Sequence, residues 1–162
     1  MNLIFRDYKE EDKQTLFDLI KKLGKFAQSL DSLQRVKNLP GFFEISLKET
    51  LENVEKYQGK IWFAEEEGKI VGYIIGANWT QSEMNKLEIG PHTLGEVVDL
   101  FIEEDYRRQG IGTKMLQMME DYFKEKGCDS MWVQVFAPNE KAHNTYKKFG
   151  FIDREIGMLK QL

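Results

Sequence analysis

The chain has 162 residues, of which 41% are hydrophobic and 31% are charged, and its formal net charge at pH 7 is −4. This composition indicates a compact globular protein, and the length predicts one domain over residues 1–162. No apolar run reaches membrane-spanning length, the charge is negative and Cys128 is the single cysteine. We therefore expect no membrane or nucleic-acid partner, no internal disulfide and a cytoplasmic location.

The first eighty residues contain three predicted strands and two predicted helices. In chain order we expect a strand at Leu3–Phe5, a helix at Glu10–Lys25, an irregular segment at 28–41, a helix at Ser46–Tyr57 and strands at Ile61–Glu65 and Ile70–Trp79. Pro40-Gly41 is a turn signal, and Ser46 with Glu49 forms a candidate capping box for the second helix. Glu67-Gly68, between two apolar runs, predicts a hairpin.

The second half of the chain continues with alternating strands and helices. We expect a polar loop at Ser82–His92, a strand at Leu94–Ile102, a helix at Ile111–Lys126, a strand at Met131–Phe136, a helix at Glu140–Lys148 and a last strand or strands within Phe151–Lys160. Gly127 lies where the helix before it should end. This order of elements predicts a mixed α/β fold, with helices on both faces of one sheet.

The most informative segment lies between the strand Leu94–Ile102 and the helix that follows it. It contains the pattern Arg107-x-x-Gly110-x-Gly112. The first turn of a helix has free backbone N–H groups and partial positive charge, and glycine lets a ligand approach the backbone closely. Arg107 and Arg108 add full positive charge. The segment therefore predicts a phosphate or pyrophosphate site, although neither a Walker loop nor a dinucleotide fingerprint is present.

Two motifs in this order resemble the GNAT superfamily of N-acetyltransferases. The glycine turn matches the family signature [QR]-x-x-G-x-[GA], which binds the pyrophosphate of acetyl-CoA. Asn139 to Phe151 matches the pattern N-x-x-A-x-x-x-Y-x-x-x-G-F, in which Asn139 can cap a helix and Gly150 can end it. The resemblance covers Glu65 to Phe151. It implies a GNAT-like fold with a mixed, mostly antiparallel sheet of about six to seven strands and about four helices on its two faces.

The resemblance also implies a set of residues that bind acetyl-CoA as co-substrate. In relatives, the strand matching Leu100 and Ile102 separates from its neighbour and offers backbone groups to pantetheine, as a peptide adds to a sheet edge. The side chains of this strand can pack in the core at the same time. The expected acetyl-CoA-binding residues are Leu100, Phe101, Ile102, Arg107, Arg108, Gln109, Gly110, Ile111, Gly112, Thr113, Asn139 and Tyr146.

Acetyl transfer needs a neutral amine, and a free alkyl amine has a pKa near ~10.4, so a carboxylate or a water held by one should remove the proton. Glu96 is the first candidate base, because the protein-lysine acetyltransferases of the family carry a glutamate at a similar position. Asp99 is the second candidate, since it interrupts an apolar strand. Small-amine acetyltransferases often have an acidic residue there that contacts the substrate ammonium. Glu96 could instead solvate a strand end, and Asp99 could form a structural salt bridge.

The placement of these two carboxylates depends on the local geometry of the strand. Simple alternation puts Glu96 and Asp99 on opposite faces. The family's strand commonly has a bulge at this point, which would re-aim one of them, and the sequence leaves the matter open.

Tyr146 is the candidate general acid for the departing thiol. A phenol pKa near ~10 lies modestly above a thiol pKa near ~8.5, so proton donation is feasible. In relatives a tyrosine in this motif lies by the thioester sulfur; the alternative for Tyr146 is an aromatic residue packed in the core. Trp62, Trp79 and the pair Phe42-Phe43 could line an acceptor pocket or pack in the core.

These observations predict an acetyl-CoA-dependent N-acetyltransferase that acts on a small cationic amine, with direct transfer in a ternary complex because no activated nucleophile is evident. One alternative acceptor is a protein lysine or an N-terminal amine. An alternative of another class is a non-catalytic acyl-CoA-binding sensor. No metal-ligand spacing is present, so no metal is expected, and the resemblance allows a homodimer.

Overall fold

The computed structural model describes residues 2–161. In this range the strands are β1 (Leu3–Asp7), β2 (Lys60–Glu66), β3 (Lys69–Trp79), β4 (Leu94–Ile102) and β5 (Ser130–Val133). The α-helices are α1 (Lys13–Leu30), α2 (Phe42–Lys56), α3 (Glu83–Ile89), α4 (Ile111–Glu125) and α5 (Glu140–Phe149). Short 3-10 turns precede α1 at Glu10–Asp12 and follow β4 at Glu104–Tyr106.

The strands form a single mixed sheet in the order β1-β2-β3-β4-β5 among the described residues. The first four strands pair antiparallel, and β5 runs parallel to β4. The β2–β3 hairpin has its turn at Glu67 and Gly68, both in the left-handed region with φ of 49° and 81°. Two such residues match the right-handed twist of the flanking strands, so the predicted hairpin is confirmed.

Helices cover both faces of the sheet, as the order of elements predicted. On one face α1 and α2 pack over a buried cluster that includes Leu16, Phe43 and Tyr73. On the other face α4 and α5 pack over a cluster that includes Met115 and Tyr146. We call these the α1/α2 face and the α4/α5 face. β4 lies between β3 and β5 and has side chains in both clusters, so it is the strand from which a residue can reach either side.

The first two helices differ from their predicted bounds. α1 continues past Lys25 to Leu30. Gly24 lies inside it as a packing position, where a Cβ would stand 2.5 Å from the Phe43 ring. α2 begins four residues before the predicted Ser46, after Gly41 at a φ of 87°. The capping box of Ser46 and Glu49 is therefore wrong, since both residues lie inside the helix. Burial of Phe43 against α1 extends the helix in this direction.

The region from Ser82 to His92 is not simply a polar loop. It contains α3, whose N-cap is Ser82: the hydroxyl accepts the Asn85 N–H at 3.1 Å. None of the residues of α3 is buried, and its apolar side chains Met84, Leu87 and Ile89 are exposed. The helix is only seven residues long, too short for a clear helical period in the sequence.

The predicted last strand at Phe151–Lys160 is wrong, because residues 151–161 have neither helix nor strand structure. Asp153 instead accepts hydrogen bonds from His143 at 2.6 Å and Lys147 at 3.1 Å, which fasten the segment to α5. The described sheet thus has five strands rather than six or seven. Apart from this count, the predicted fold class is confirmed. No helix between residues 2 and 161 combines the length and the apolar character that crossing a membrane requires.

Candidate active site

A β-bulge at Val98 determines where the two candidate carboxylates point. In the β3–β4 ladder Ile75 pairs with Asp99 and Gly76 with Val97, so Val98 has no partner on β3. The extra residue shifts the alternation of β4 by one position. Glu96, opposite Ala77, and Asp99, opposite Ile75, consequently lie on the same α1/α2 face. The question that the sequence left open is settled by this register.

The same bulge marks the end of the pairing between β4 and β5. The parallel ladder runs from Leu94 opposite Ser130 to Val97 opposite Val133 and goes no further. This is why β5 ends at Val133 and not at the predicted Phe136. Among the described residues, the stretch of β4 from Val98 to Ile102 has no neighbour on that side. Such a free edge presents backbone groups that an extended ligand can bind.

The predicted phosphate turn lies directly beyond this free edge. α4 begins at Ile111, after Gly110 at a φ of 80°. The first helical hydrogen bond is donated by the Lys114 N–H to the Gly110 carbonyl at 2.9 Å. The N–H groups of Ile111, Gly112 and Thr113 precede that bond and are available to a ligand.

The missing side chain of Gly112 keeps this cradle open. A Cβ at Gly112 would stand 3.9 Å from the side chains of Leu100 and Ile102, so the residue faces the free half of β4. The side-chain amide of Gln109 donates to the Asp105 carbonyl at 3.0 Å and braces the turn itself. Free amides, a glycine over the strand and a helix N-terminus are together suited to a pyrophosphate.

The two arginines of the turn have different surroundings. Arg107 Nε donates to the Ile102 carbonyl at 2.8 Å. The Arg107 guanidinium also lies 5.6 Å from the Phe26 ring and 5.9 Å from the Phe101 ring. Arg107 therefore ties the end of β4 to α1. Arg108 is exposed and holds the left-handed φ of 63°, so its charge is available to an anion.

The second motif forms a capped helix, as predicted. Asn139 Oδ1 accepts the Ala142 N–H at 3.3 Å, and Gly150, at a φ of 116°, ends α5. Tyr146 is only 8% exposed, and its ring packs edge-on against Phe151 at 5.7 Å. Tyr146 is thus a packed aromatic residue as well as a candidate acid.

Asp99 is a partly buried carboxylate in an apolar setting. Its Oδ2 accepts a hydrogen bond from the Tyr73 hydroxyl at 3.2 Å. Burial raises the pKa of Asp99 to about 6, and the bond from Tyr73 offsets part of the rise. Burial and then the charge of Asp99 raise the pKa of Tyr146 to about 12. Asp99 and Tyr146 are therefore close enough for the charge of one to influence the other.

Glu96 occupies an aromatic setting on the same face. Its partner across the β4–β5 ladder is Trp132, and Trp79 lies two residues beyond its β3 partner. Burial raises the pKa of Glu96, and the nearby Trp79 indole N–H offsets part of this rise. Trp79 Nε1 is buried and makes no hydrogen bond of normal geometry within residues 2–161. Its ring lies 4.4 Å from that of Tyr57.

Several aromatic residues are placed in ways that the sequence did not show. Tyr73 and Trp132 were not candidates, because only the register of β3, β4 and β5 brings them beside Asp99 and Glu96. Of the candidates for an acceptor pocket, Trp79 borders Glu96, whereas Trp62 packs on Tyr122 of α4, on the other face. Phe43 lies in the α1/α2 core.

A cavity of about 520 Å³ opens at the end of β3 farthest from the phosphate turn. Tyr57, Trp79 and His92 line it, but so do Lys56, Lys86 and Lys126. Three ammonium groups and one carboxylate, that of Asp129, line this space, so its net positive charge disfavours a cationic amine.

Comparison with known proteins agrees with this arrangement. The model of the acetyltransferase (GNAT) family matches residues 27–151. The chain belongs to this family. It is an N-acetyltransferase, as the two motifs predicted. An N-alpha-acetyltransferase of Sulfurisphaera tokodaii is 32% identical over 136 residues, which are 81% of this chain and 74% of that protein.

Solved structures share the fold at low sequence identity. A "predicted acetyltransferase with acetyl-CoA" from Clostridium acetobutylicum has a TM-score of 0.75 at 19% identity, covering 98% of this chain and 96% of its own. An aminoglycoside N-acetyltransferase in complex with a CoA-containing bisubstrate analogue has a TM-score of 0.72 at 14% identity, covering 100% of this chain and 99% of its own. These likenesses confirm the predicted GNAT fold.

Proposed function

We propose that this N-acetyltransferase transfers the acetyl group of acetyl-CoA to the primary amine of a small cationic molecule. The observation that carries the proposal is the bulge at Val98. It coincides with the end of the β4–β5 pairing and places Glu96 and Asp99 on one face of β4. A free strand edge for the donor and two carboxylates for the acceptor therefore meet at one point of the strand.

The donor would lie along β4 and end at the glycine turn. Pantetheine amides would bind backbone groups of Leu100, Phe101 and Ile102, as a peptide adds to a sheet edge. The pyrophosphate would bind the N–H groups of Ile111, Gly112 and Thr113, with Arg108 supplying full charge. Arg107 supports this site indirectly, since its hydrogen bond at 2.8 Å holds the carbonyl of Ile102.

The acceptor would approach from the α1/α2 face. One carboxylate of this face would take a proton from the ammonium group, so that the neutral nitrogen can attack the thioester carbon. The other carboxylate would face the remaining positive charge of the substrate. Tyr146 would protonate the departing thiol from the α4/α5 side. The acceptor and the donor would thus reach β4 from different sides and be bound at the same time, which allows direct transfer in a ternary complex.

The charge of the site favours a cationic acceptor. Glu96 and Asp99 provide two carboxylates, and Trp79 and Trp132 lie beside Glu96, where aromatic faces can also attract cations. A second acceptor is the α-amine of a protein N-terminus. It is favoured by the N-alpha-acetyltransferase of Sulfurisphaera tokodaii, which is similar over 81% of this chain.

The experiment is an acceptor panel with purified protein and acetyl-CoA, in which released thiol is followed. The panel contains a polyamine, an aminoglycoside, a peptide with a free N-terminus, a lysine peptide with a blocked N-terminus, and a neutral-tailed alkyl amine. We expect the highest kcat/KM for the polyamine or the aminoglycoside. A preference for the free N-terminus would replace the small-molecule acceptor by the protein one. Acetyl-CoA binding without turnover of any amine would contradict both and favour a sensor.

A further inference from the structure

We propose that Asp99 is the group that takes the proton of the acceptor amine, and that Tyr73 is the positioning residue that holds its carboxylate. The proposal rests on the proposed acetyl transfer and assigns a role that either carboxylate of the α1/α2 face could have filled. The sequence made Glu96 the first candidate for that role and Asp99 the second, with contact to the substrate ammonium as the other role of Asp99. The surroundings of the two residues support the opposite assignment.

Asp99 is held by a buried hydroxyl group. Tyr73 is completely buried, with 0% exposure, and its hydroxyl donates to Asp99 Oδ2 at 3.2 Å. Within residues 2–161 the other oxygen of Asp99 has no hydrogen-bond partner, so it is free to accept a proton. The donor nearest to Glu96, the Trp79 N–H, lowers the pKa of Glu96 but does not reach the geometry of a formed hydrogen bond.

The surroundings of the Tyr73–Asp99 pair are largely apolar. The side chains that α1 and α2 pack around Tyr73 are apolar: Leu16, Leu19, Ile20, Phe43 and Leu47. The titratable groups that face Asp99 are Tyr73 from β3 and Tyr146 from α5, with Glu96 on its own strand. A carboxylate in such a setting has its pKa raised, to about 6 for Asp99, which brings its basicity closer to that of an amine.

The charge of Asp99 acts on the candidate acid, Tyr146. The negative charge of Asp99 is one of the causes that raise the pKa of Tyr146 to about 12; Glu96 is not among them. Asp99 and the hydroxyl of Tyr146 are therefore close enough for the base and the acid to act on the same reacting group.

The proposed reaction conserves its protons and electron pairs. The ammonium gives one proton to Asp99, and the nitrogen lone pair forms the C–N bond to the acetyl carbon. The C–S bond then breaks with its electron pair on sulfur, and Tyr146 gives its proton to that sulfur. The nitrogen loses a second proton, which restores Tyr146. Asp99 releases its proton to solvent, so that amide, thiol and one proton are the products.

The decisive variant is Tyr73→Phe, which keeps the ring and removes the hydroxyl. Its matched control is Tyr122→Phe, which loses a hydrogen bond of 2.6 Å to the Gln58 carbonyl on the α4/α5 side. Two measurements are made on each variant: the pH dependence of kcat with a saturating amine, and an NMR titration of the Asp99 carboxyl carbon, which does not depend on turnover. Asp99→Asn, Asp99→Glu and Glu96→Gln complete the kinetic series.

The hydrogen bond from Tyr73 favours the ionised carboxylate, so its removal should raise the pKa of Asp99. In Tyr73→Phe we expect two midpoints to rise by about one pH unit: that of the NMR titration of Asp99, and that of the fall in kcat on the acid side of its pH profile (the acid limb). Neither midpoint should move in Tyr122→Phe. In Asp99→Asn the acid limb should disappear from the pH profile, and kcat should fall by about 10²-fold or more. Asp99→Glu should restore part of the activity. In Glu96→Gln the acid limb of the pH profile should be retained.

Loss of the acid limb in Glu96→Gln, or its retention in Asp99→Asn, would overturn the assignment of the base. An Asp99 titration unchanged in Tyr73→Phe would overturn the positioning role of Tyr73. Both outcomes differ from failure of the proposed function, in which the wild-type protein would acetylate no amine while the NMR titration could still be read.

Discussion

Glu96 and Asp99 lie on one face of β4, although three positions separate them along the strand, because Val98 forms a bulge between them. In a regular strand they would lie on opposite faces. The same bulge stands where β4 and β5 stop pairing, at Val97 and Val133. One local irregularity thus arranges both the acceptor carboxylates and the free edge for the donor.

Gly112→Asp should weaken acetyl-CoA binding by at least tenfold. The new side chain would project over Leu100 and Ile102, at the open side of the turn, and would repel the pyrophosphate. Isothermal titration calorimetry with CoA measures the effect. Gln117→Asp, which adds the same charge on the exposed side of α4, is the control and should bind normally. Equal affinity of both variants in a folded state would place the pyrophosphate elsewhere.

The two arginines of the turn should respond differently to substitution. Arg108→Ala should reduce CoA affinity, increasingly so at low salt, and leave the free energy of unfolding unchanged, because the side chain is exposed. Arg107→Ala should reduce the free energy of unfolding by about 1–2 kcal/mol, because the bond to Ile102 and the contact with Phe26 are lost. Urea unfolding and calorimetry of both variants check this division; the reverse pattern would exchange their roles.

Tyr146→Phe should reduce kcat by roughly 10²–10⁴, the range for one acid–base group. The affinity for acetyl-CoA should change little, since the ring and its contact with Phe151 at 5.7 Å remain. Steady-state kinetics and a direct binding measurement separate the two effects. Full turnover in this variant would make Tyr146 a packing residue and assign proton donation to water or another group.

Asp99→Asn should make the protein more stable at pH 8 than the wild type. The native pKa of Asp99, about 6, lies above the ordinary value for an aspartate, so the folded state binds the proton more tightly than the unfolded state. The stability contributed by this proton is present at low pH and is lost as the pH rises through the native pKa. The advantage of the variant should therefore shrink by pH 4.5. Thermal unfolding at both pH values tests this, and a variant less stable than the wild type at pH 8 would contradict it.

Signals that are local in the chain predicted much of the fold and the phosphate turn. β4 has the predicted bounds, Leu94–Ile102, and α4 begins at the predicted Ile111 after Gly110. The Asn139 cap and the Gly150 stop of α5 also follow from single residue types. Such features depend on backbone preferences within a few residues, which a sequence displays directly.

The arrangement of the acceptor side could not be predicted in this way. The position of the bulge is fixed by how β3 pairs with β4, and Tyr73 meets Asp99 only in that register. The segment after Phe151 has apolar residues that suggest a strand, but Asp153 binds His143 and Lys147 on α5. In the first case the deciding contacts join strands that are distant along the chain. In the second they join residues ten and six positions apart, and no single residue type indicates them.

The central claim, that this chain joins the acetyl group of acetyl-CoA to an amine nitrogen, is tested most directly with acetyl-CoA labelled by ¹³C in the acetyl group. The purified protein is incubated with this donor and the preferred amine of the panel, and labelled amide and free CoA thiol are quantified by mass spectrometry and thiol titration. We predict equal amounts of labelled amide and thiol, both absent when the amine is omitted. Thiol release without labelled amide, or no release with any amine, would contradict the claim.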